Sequence, residues 1–183
     1  MEQKYSSKDT SINTVNKVYK SYDFPENSLI LDYGGGKYDS NKKYMDDKNN
    51  SKVVIYDKYN REREHNNNVL EYCKQNIPDF IVCSNVLNVI MEDEIIDYIC
   101  RDISDYCREN TIIIFSIYEC DKSGIGKVTT KGYQRNQRTG DYLSFIKKYF
   151  DVKTVKNCLI ICKKKEDLWW KKLEQQCMFI NQT

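Results

Sequence analysis

Short apolar runs recur along the chain, separated by segments whose apolar residues fall at helical spacing. "SLILDY" (28–33) is too short for a helix and is bounded by Pro25 and three glycines, so it predicts a buried strand. "KVVIYD" (52–57), "DFIVC" (79–83) and "TIIIFSIYE" (111–119) are β-branched runs of the same kind. Between them, "DSNKKYMDDKNN" predicts a helix capped by Asp39 or Ser40, and "NVLEYCKQN" a short helix ended by Pro78. "MEDEIIDYICRDISDYCREN" puts Ile95, Ile96, Ile99, Ile103, Tyr106 and Cys107 on one face, with acids elsewhere and at its start. Before the first strand, Ile12, Val15, Val18 and Tyr19 predict a leading helix over 11–22, within a leading segment 1–25. After the fourth, a glycine-bearing basic loop (120–140) leads into the helix "DYLSFIKKYF", then a closing pair of strands in "VKTVKNCLIICKKK". A C-terminal helix over 166–183 is expected to pack Trp169, Trp170 and Leu173 on the body. Strands alternating with helices predict an α/β fold: a Rossmann-like, doubly wound, mostly parallel sheet with helices on both faces.

Length and composition narrow this picture. At 183 residues the chain suits one domain with a substantial core. With 29 Lys and Arg against 27 Asp and Glu, a net charge of +2 gives no global attraction to nucleic acid, so any basic function must be local. No run approaches the roughly 18 apolar residues of a membrane span, and "MEQKYSSKDTSINT" has no signal-peptide core, which points to a cytoplasmic protein. The eight cysteines include no C-x-x-C pair and mostly sit among aliphatic residues, as small core hydrophobes do. His65 is the single histidine and lies in "REREHNNN", a segment that reads as solvated. A zinc site and the histidine-dependent nucleophilic arrangements are therefore disfavoured, and no metal is expected.

The candidate chemistry is at Gly34, Gly35 and Gly36, three of seven glycines placed side by side after the first strand. Glycine serves where the backbone needs positive φ or must approach another group closely. Doubly wound folds bind ligands beyond the carboxyl ends of their strands, so backbone N–H groups of this turn are placed to meet a cofactor. Asp57, 21 residues after Gly36 and at the end of the next strand, suits ribose hydroxyls. Asp32, directly before the turn, suggests a positively charged ligand group.

With "LILDYGGGKYD", "VVIYDKYN" and "FIVCSNVLNVI", the chain from Leu29 to about Phe150 resembles the class I S-adenosylmethionine-dependent methyltransferases, and is particularly similar to small phage and bacterial members. The resemblance implies S-adenosylmethionine as cofactor. Asp32, Gly34, Gly35 and Gly36 would lie along its methionine moiety, Asp57 would hold the ribose and Lys58 would flank the adenosine. Ser84 and Asn85 would stand beside the departing methyl group, and the adenine pocket would fall near Asn68 and Val69. Tyr38 stands where many members carry a third glycine, so the turn either bends differently or the tyrosine covers the cofactor. The interval from Asp57 to Asp79 leaves little room for a full strand and helix.

Methyl transfer needs in-line approach of a nucleophile, which positioning can supply without a covalent residue. "SNVLNVI" lacks the prolines of the D/N-P-P-Y/F loop used on nucleic-acid amino groups, which disfavours ordinary DNA amino methylation. Asn85 and Asn88 are candidates to orient an acceptor, though Asn88 equally suits the cap of the helix beginning near Met91. Residues 120–142, with four glycines, five Lys or Arg and Tyr133, are the candidate acceptor loop. Tyr133, Arg135 and Arg138 would clamp a nucleic-acid or other phosphate-bearing substrate, the alternative being a solvated surface loop. The methyl acceptor and the oligomeric state are not indicated. Two other functions stay open: a non-catalytic module that binds or sequesters the cofactor, as a phage protein acting against host enzymes would, and a NAD-dependent oxidoreductase. The second is disfavoured because "LDYGGGKY" does not continue as G-x-G-x-x-G.

Overall fold

The computed structural model describes residues 2–5 and 11–165. The expected C-terminal helix with Trp169 and Trp170 lies outside the described residues. The four apolar runs form β1 (Leu29–Tyr33), β2 (Lys52–Tyr56), β3 (Phe80–Ser84) and β4 (Ile112–Ser116), all parallel. Helices α1 (Lys17–Ser21), α2 (Ser40–Asn49), α3 (Arg63–Gln75) and α4 (Asp93–Asp105) precede or connect them. Beyond β4 come a small hairpin of β5 (Lys127–Thr129) and β6 (Gly132–Gln134), helix α5 (Leu143–Tyr149), and the antiparallel pair β7 (Phe150–Lys156) and β8 (Leu159–Lys164). The main sheet has the order β2-β1-β3-β4-β8-β7. The chain reverses direction across the sheet between β1 and β3, the switch point where doubly wound folds open a cleft.

Period-two alternation sorts the strands' side chains into two cores. Leu31, Ile81, Cys83, Ile113 and Phe115 join residues of α3, α4 and α5 on one face. Ile30, Val82, Ile114, Val53 and Ile55 meet Val18, Tyr19, Phe24 and Met45 on the other. The whole apolar stripe read on α4 is buried, as are Cys73, Cys83, Cys100, Cys107 and Cys162. Cys120 and Cys158 are exposed. Among the described residues no helix is long and apolar enough to cross a membrane.

Three expectations are corrected. The leading helix is only Lys17–Ser21, because Asn16 is its N-cap: its side chain accepts from Val18 N at 3.0 Å, and residues 11–15 before it have no helical structure. Helix α3 starts at Arg63 rather than at Asn68, so most of the solvated segment is helical while still exposed. Buried Asn66 anchors it, with Oδ1 accepting from Asp57 N and Nδ2 donating to Asp57 O, and the short interval after Asp57 holds a full helix and no extra strand. Residues 127–134 are a hairpin rather than an open loop, since Val128 pairs with Tyr133 around a turn at 130–131, and Gly132, at φ 129°, begins the return strand opposite Thr129.

Candidate functional site

A cavity of about 360 Å³ opens above the carboxyl ends of β1 to β4, within the usual size of small-molecule sites. Its floor is the glycine turn. Gly34 and Gly36 have φ of 81° and 76°, a region closed to most side chains. A Cβ on Gly34 would overlap the Val86 side chain, and one on Gly35 would sit 2.7 Å from Asp32 Cγ. The turn's amides are already engaged: Gly34 N and Gly35 N donate to Tyr56 O, and Gly36 N to Asp57 Oδ2 at 2.8 Å. The glycines thus bring backbone close to the cavity, but their N–H groups do not point free into it, as the sequence had suggested.

Asp32 lies on the α1 and α2 face of β1, 2% exposed. Burial raises its carboxyl to about 6, partly offset by donation from Asn41 Nδ2 at 2.9 Å and by the nearby Tyr19 phenol. That phenol lies near the carboxyl without completing a well-aligned hydrogen bond. Asn41 Oδ1 accepts from Asn16 N at 2.8 Å, and Asn16 Nδ2 donates to Ser84 Oγ at 2.8 Å. A polar chain thus ties the ends of β1 and β3 through the segment before α1, with Ile12 and Thr14 of that segment lining the cavity.

Asp57 is placed where expected but is busier than expected. Oδ1 accepts from Tyr59 N, Asn60 N and Asn60 Nδ2 at 3.0, 2.9 and 3.0 Å, while Oδ2 accepts, among the described residues, from Gly36 N alone. One oxygen therefore braces the 57–60 loop and the other keeps acceptor capacity. Lys58, Ser84 and Asn85 also line the cavity; Asn85 stands at φ 58° with its amide bonded to Ser116 O.

Six expected site residues do not line it. Arg61 clamps Gly36 O and Asp39, closing the turn before Tyr38, so that residue covers nothing there. Asn68 is exposed in mid-α3, while Val69 turns into the core, because the helix starts earlier than read. Tyr133 stacks on Tyr5 with ring centroids 5.9 Å apart. Arg135 is a buried brace: its guanidinium bonds Ile90 O, Met91 O and Asp93, the last at 2.6 Å. Arg138 is exposed at the cap of a 3-10 turn, Thr139–Tyr142. Of the five cations in 120–142, Lys122, Lys127 and Arg135 are ion-paired, with Glu119, Asp121 and Asp93.

Asn88 does not cap α4, whose N-cap is Glu92. It lies 2% exposed in a 3-10 turn, Leu87–Val89, and lines the cavity together with Gln134. Asn16, Asn41 and Gln134 are site residues that sequence reasoning missed; a polar Asn41 one turn before buried Met45 was the single available signal.

No family model and no curated protein matches the chain. Solved structures do. Human N-acetylserotonin methyltransferase in complex with SAM is 16% identical, over 81% of this chain and 51% of that one, with a TM-score of 0.52. The pyocyanin biosynthetic protein PhzM is 13% identical, over 81% and 53%, with a TM-score of 0.53. A TehB-like SAM-dependent methyltransferase from Corynebacterium glutamicum is 16% identical, over 78% and 83%, with a TM-score of 0.48. The chain spans about half the length of the first two. What is shared with them is the fold: a Rossmann-like, mostly parallel sheet flanked by helices.

Proposed function

We propose that this chain binds S-adenosylmethionine and transfers its methyl group. The observation that carries the reading is the cavity at the switch point between β1 and β3, floored by two positive-φ glycines and a buried carboxyl that has no cationic partner within hydrogen-bond distance among the described residues. When bound, the cofactor supplies a methyl group made electrophilic by a sulfonium centre. Asp32 suits the positive charge that such a ligand carries, since a cation beside it would favour the ionised form that burial penalises. Asp57 Oδ2 has capacity left for a hydroxyl donor, and Lys58 stands next to it on the rim. Asn16 and Ser84, bonded to each other, both line the cavity between β1 and β3. The lone histidine is at α3, with Nε2 2.9 Å from Ile55 O and outside the cavity lining, so rate acceleration rests on positioning.

Calorimetry and thermal unfolding with S-adenosylmethionine, S-adenosylhomocysteine and NAD test this. The two sulfur compounds should bind and stabilise the fold by about 2.7 kcal/mol at a hundredfold excess over the dissociation constant. Binding of NAD alone overturns the reading.

A further inference from the structure

Asn88 is held by a relay of amides whose polarity is set at its far end. Tyr118 O is a carbonyl and can only accept, so Gln134 presents its NH2 group there, with Nε2 to O at 3.0 Å. Gln134 Oε1 consequently faces Asn88 and accepts from Asn88 Nδ2 at 3.1 Å. Asn88 Oδ1 is left buried with no hydrogen-bond partner among the described residues, in a side chain that lines the cavity. The backbone is pinned where it stands: Arg135 N donates to Asn88 O at 2.9 Å, and the Arg135 guanidinium donates to Ile90 O and Met91 O just beyond. Buried acceptors are seldom left unmet, and those that are call for an explanation such as a bound donor.

The position of this oxygen narrows what meets it. Asn88 follows β3 and Gln134 follows β4, whereas the glycine turn and Asp57 follow β1 and β2, so the relay occupies the other half of the cavity. Val89 follows Asn88 in the chain and the Tyr118 carbonyl holds Gln134, and both residues line the cavity, as do Ile95 and Ile99 of α4. Resting on the methyltransferase reading, we propose that this half receives the methyl acceptor, and that the acceptor is a small uncharged aromatic molecule offering an O–H or N–H to Asn88 Oδ1. Apolar and aromatic walls with one fixed acceptor are what such a molecule needs. A phosphate-bearing strand would need cations, and three of the five in the neighbouring 120–142 segment are neutralised by acids.

The full chain is titrated by NMR with phenol, which has a donor, and toluene, which has none, in wild type and in Asn88→Leu. The preference for phenol over toluene should fall about tenfold in the variant, the worth of one neutral hydrogen bond. Gln134→Leu keeps Asn88 but frees its amide to turn, so acetophenone, an acceptor only, should gain on phenol; this variant carries the test if Asn88→Leu does not fold. Unchanged preferences in the folded variants, or no phenol binding to wild type at millimolar concentration, overturn the inference. So does a single-stranded oligonucleotide that displaces phenol and is itself methylated. S-adenosylhomocysteine binding to wild type is measured separately. If it binds and the preferences do not move, only this inference is lost. If it fails to bind while the preferences shift, the donor site stands and the methyltransferase reading falls.

Discussion

Asp32 has one well-aligned side-chain donor, Asn41, and a carboxyl raised from the usual 3.8 to about 6 by burial. The unfolded chain loses this proton near 3.8 while the folded protein keeps it to about 6, so stability falls as pH rises through that window. Above it the full penalty is present, on the order of 3 kcal/mol for a shift of this size. Asp32→Asn, which mimics the protonated form, should therefore raise stability at pH 7.5 and leave it nearly unchanged at pH 4, as read by urea unfolding. The same change should weaken S-adenosylmethionine binding at least tenfold by calorimetry. A variant that is no more stable at pH 7.5, or that binds with full affinity, shows that the charge of Asp32 is not what the cavity uses. Asp57 accepts from four donors among the described residues, and its first duty is to hold the turn and the 57–60 loop in shape.

At the scale of elements, the β5–β6 hairpin decides the wall of the cavity beyond β3. It delivers Gln134 to Asn88, and Arg135 locks it to the turn before α4 through two carbonyls and Asp93. Arg135→Ala should cost about 2 kcal/mol, because charge-assisted bonds to partly buried partners are lost together. Lys127→Ala, which removes an exposed pair with Asp121, should change the urea midpoint by no measurable amount. Equal effects from the two would mean that the hairpin is not braced through Arg135.

Over the whole molecule, the sheet is covered on both faces and five cysteines are buried between the layers. Burial raises the thiols of Cys73 to about 11 and of Cys100 and Cys107 to about 12, so neither access nor thiolate is available in the folded protein. Thiol labelling followed by peptide mass spectrometry should modify Cys120 and Cys158 quickly, and the five buried cysteines together at the rate of global opening. Fast labelling of Cys73 alone would show that α3 opens independently of the rest.

The four parallel strands, the α4 stripe and the glycine corner were legible in the sequence because each rests on a local rule: period two, period 3.6, or the backbone freedom of glycine. The same locality misjudged Asn16, whose cap shortens the leading helix, and Arg63–Asn68, which are helical because buried Asn66 ties them to Asp57. Asp32 and Asp57 could be named as candidate site residues from their place after apolar runs, but not their surroundings: the first is buried with its carboxyl raised, and the second is engaged by the amides of Gly36, Tyr59 and Asn60. Arg135 suits an acceptor clamp in the sequence because it stands among glycines, other cations and Tyr133, and only the folded chain brings it to Asp93 and the carbonyls before α4. The sequence by itself determined the order of elements and the glycine corner at the end of β1. Tertiary structure alone decided which polar atoms line the cavity above it, because Asn88 meets Gln134 across 46 residues and Asn16 meets Ser84 across 68, and the direction of each hydrogen bond is set by the partner it finds.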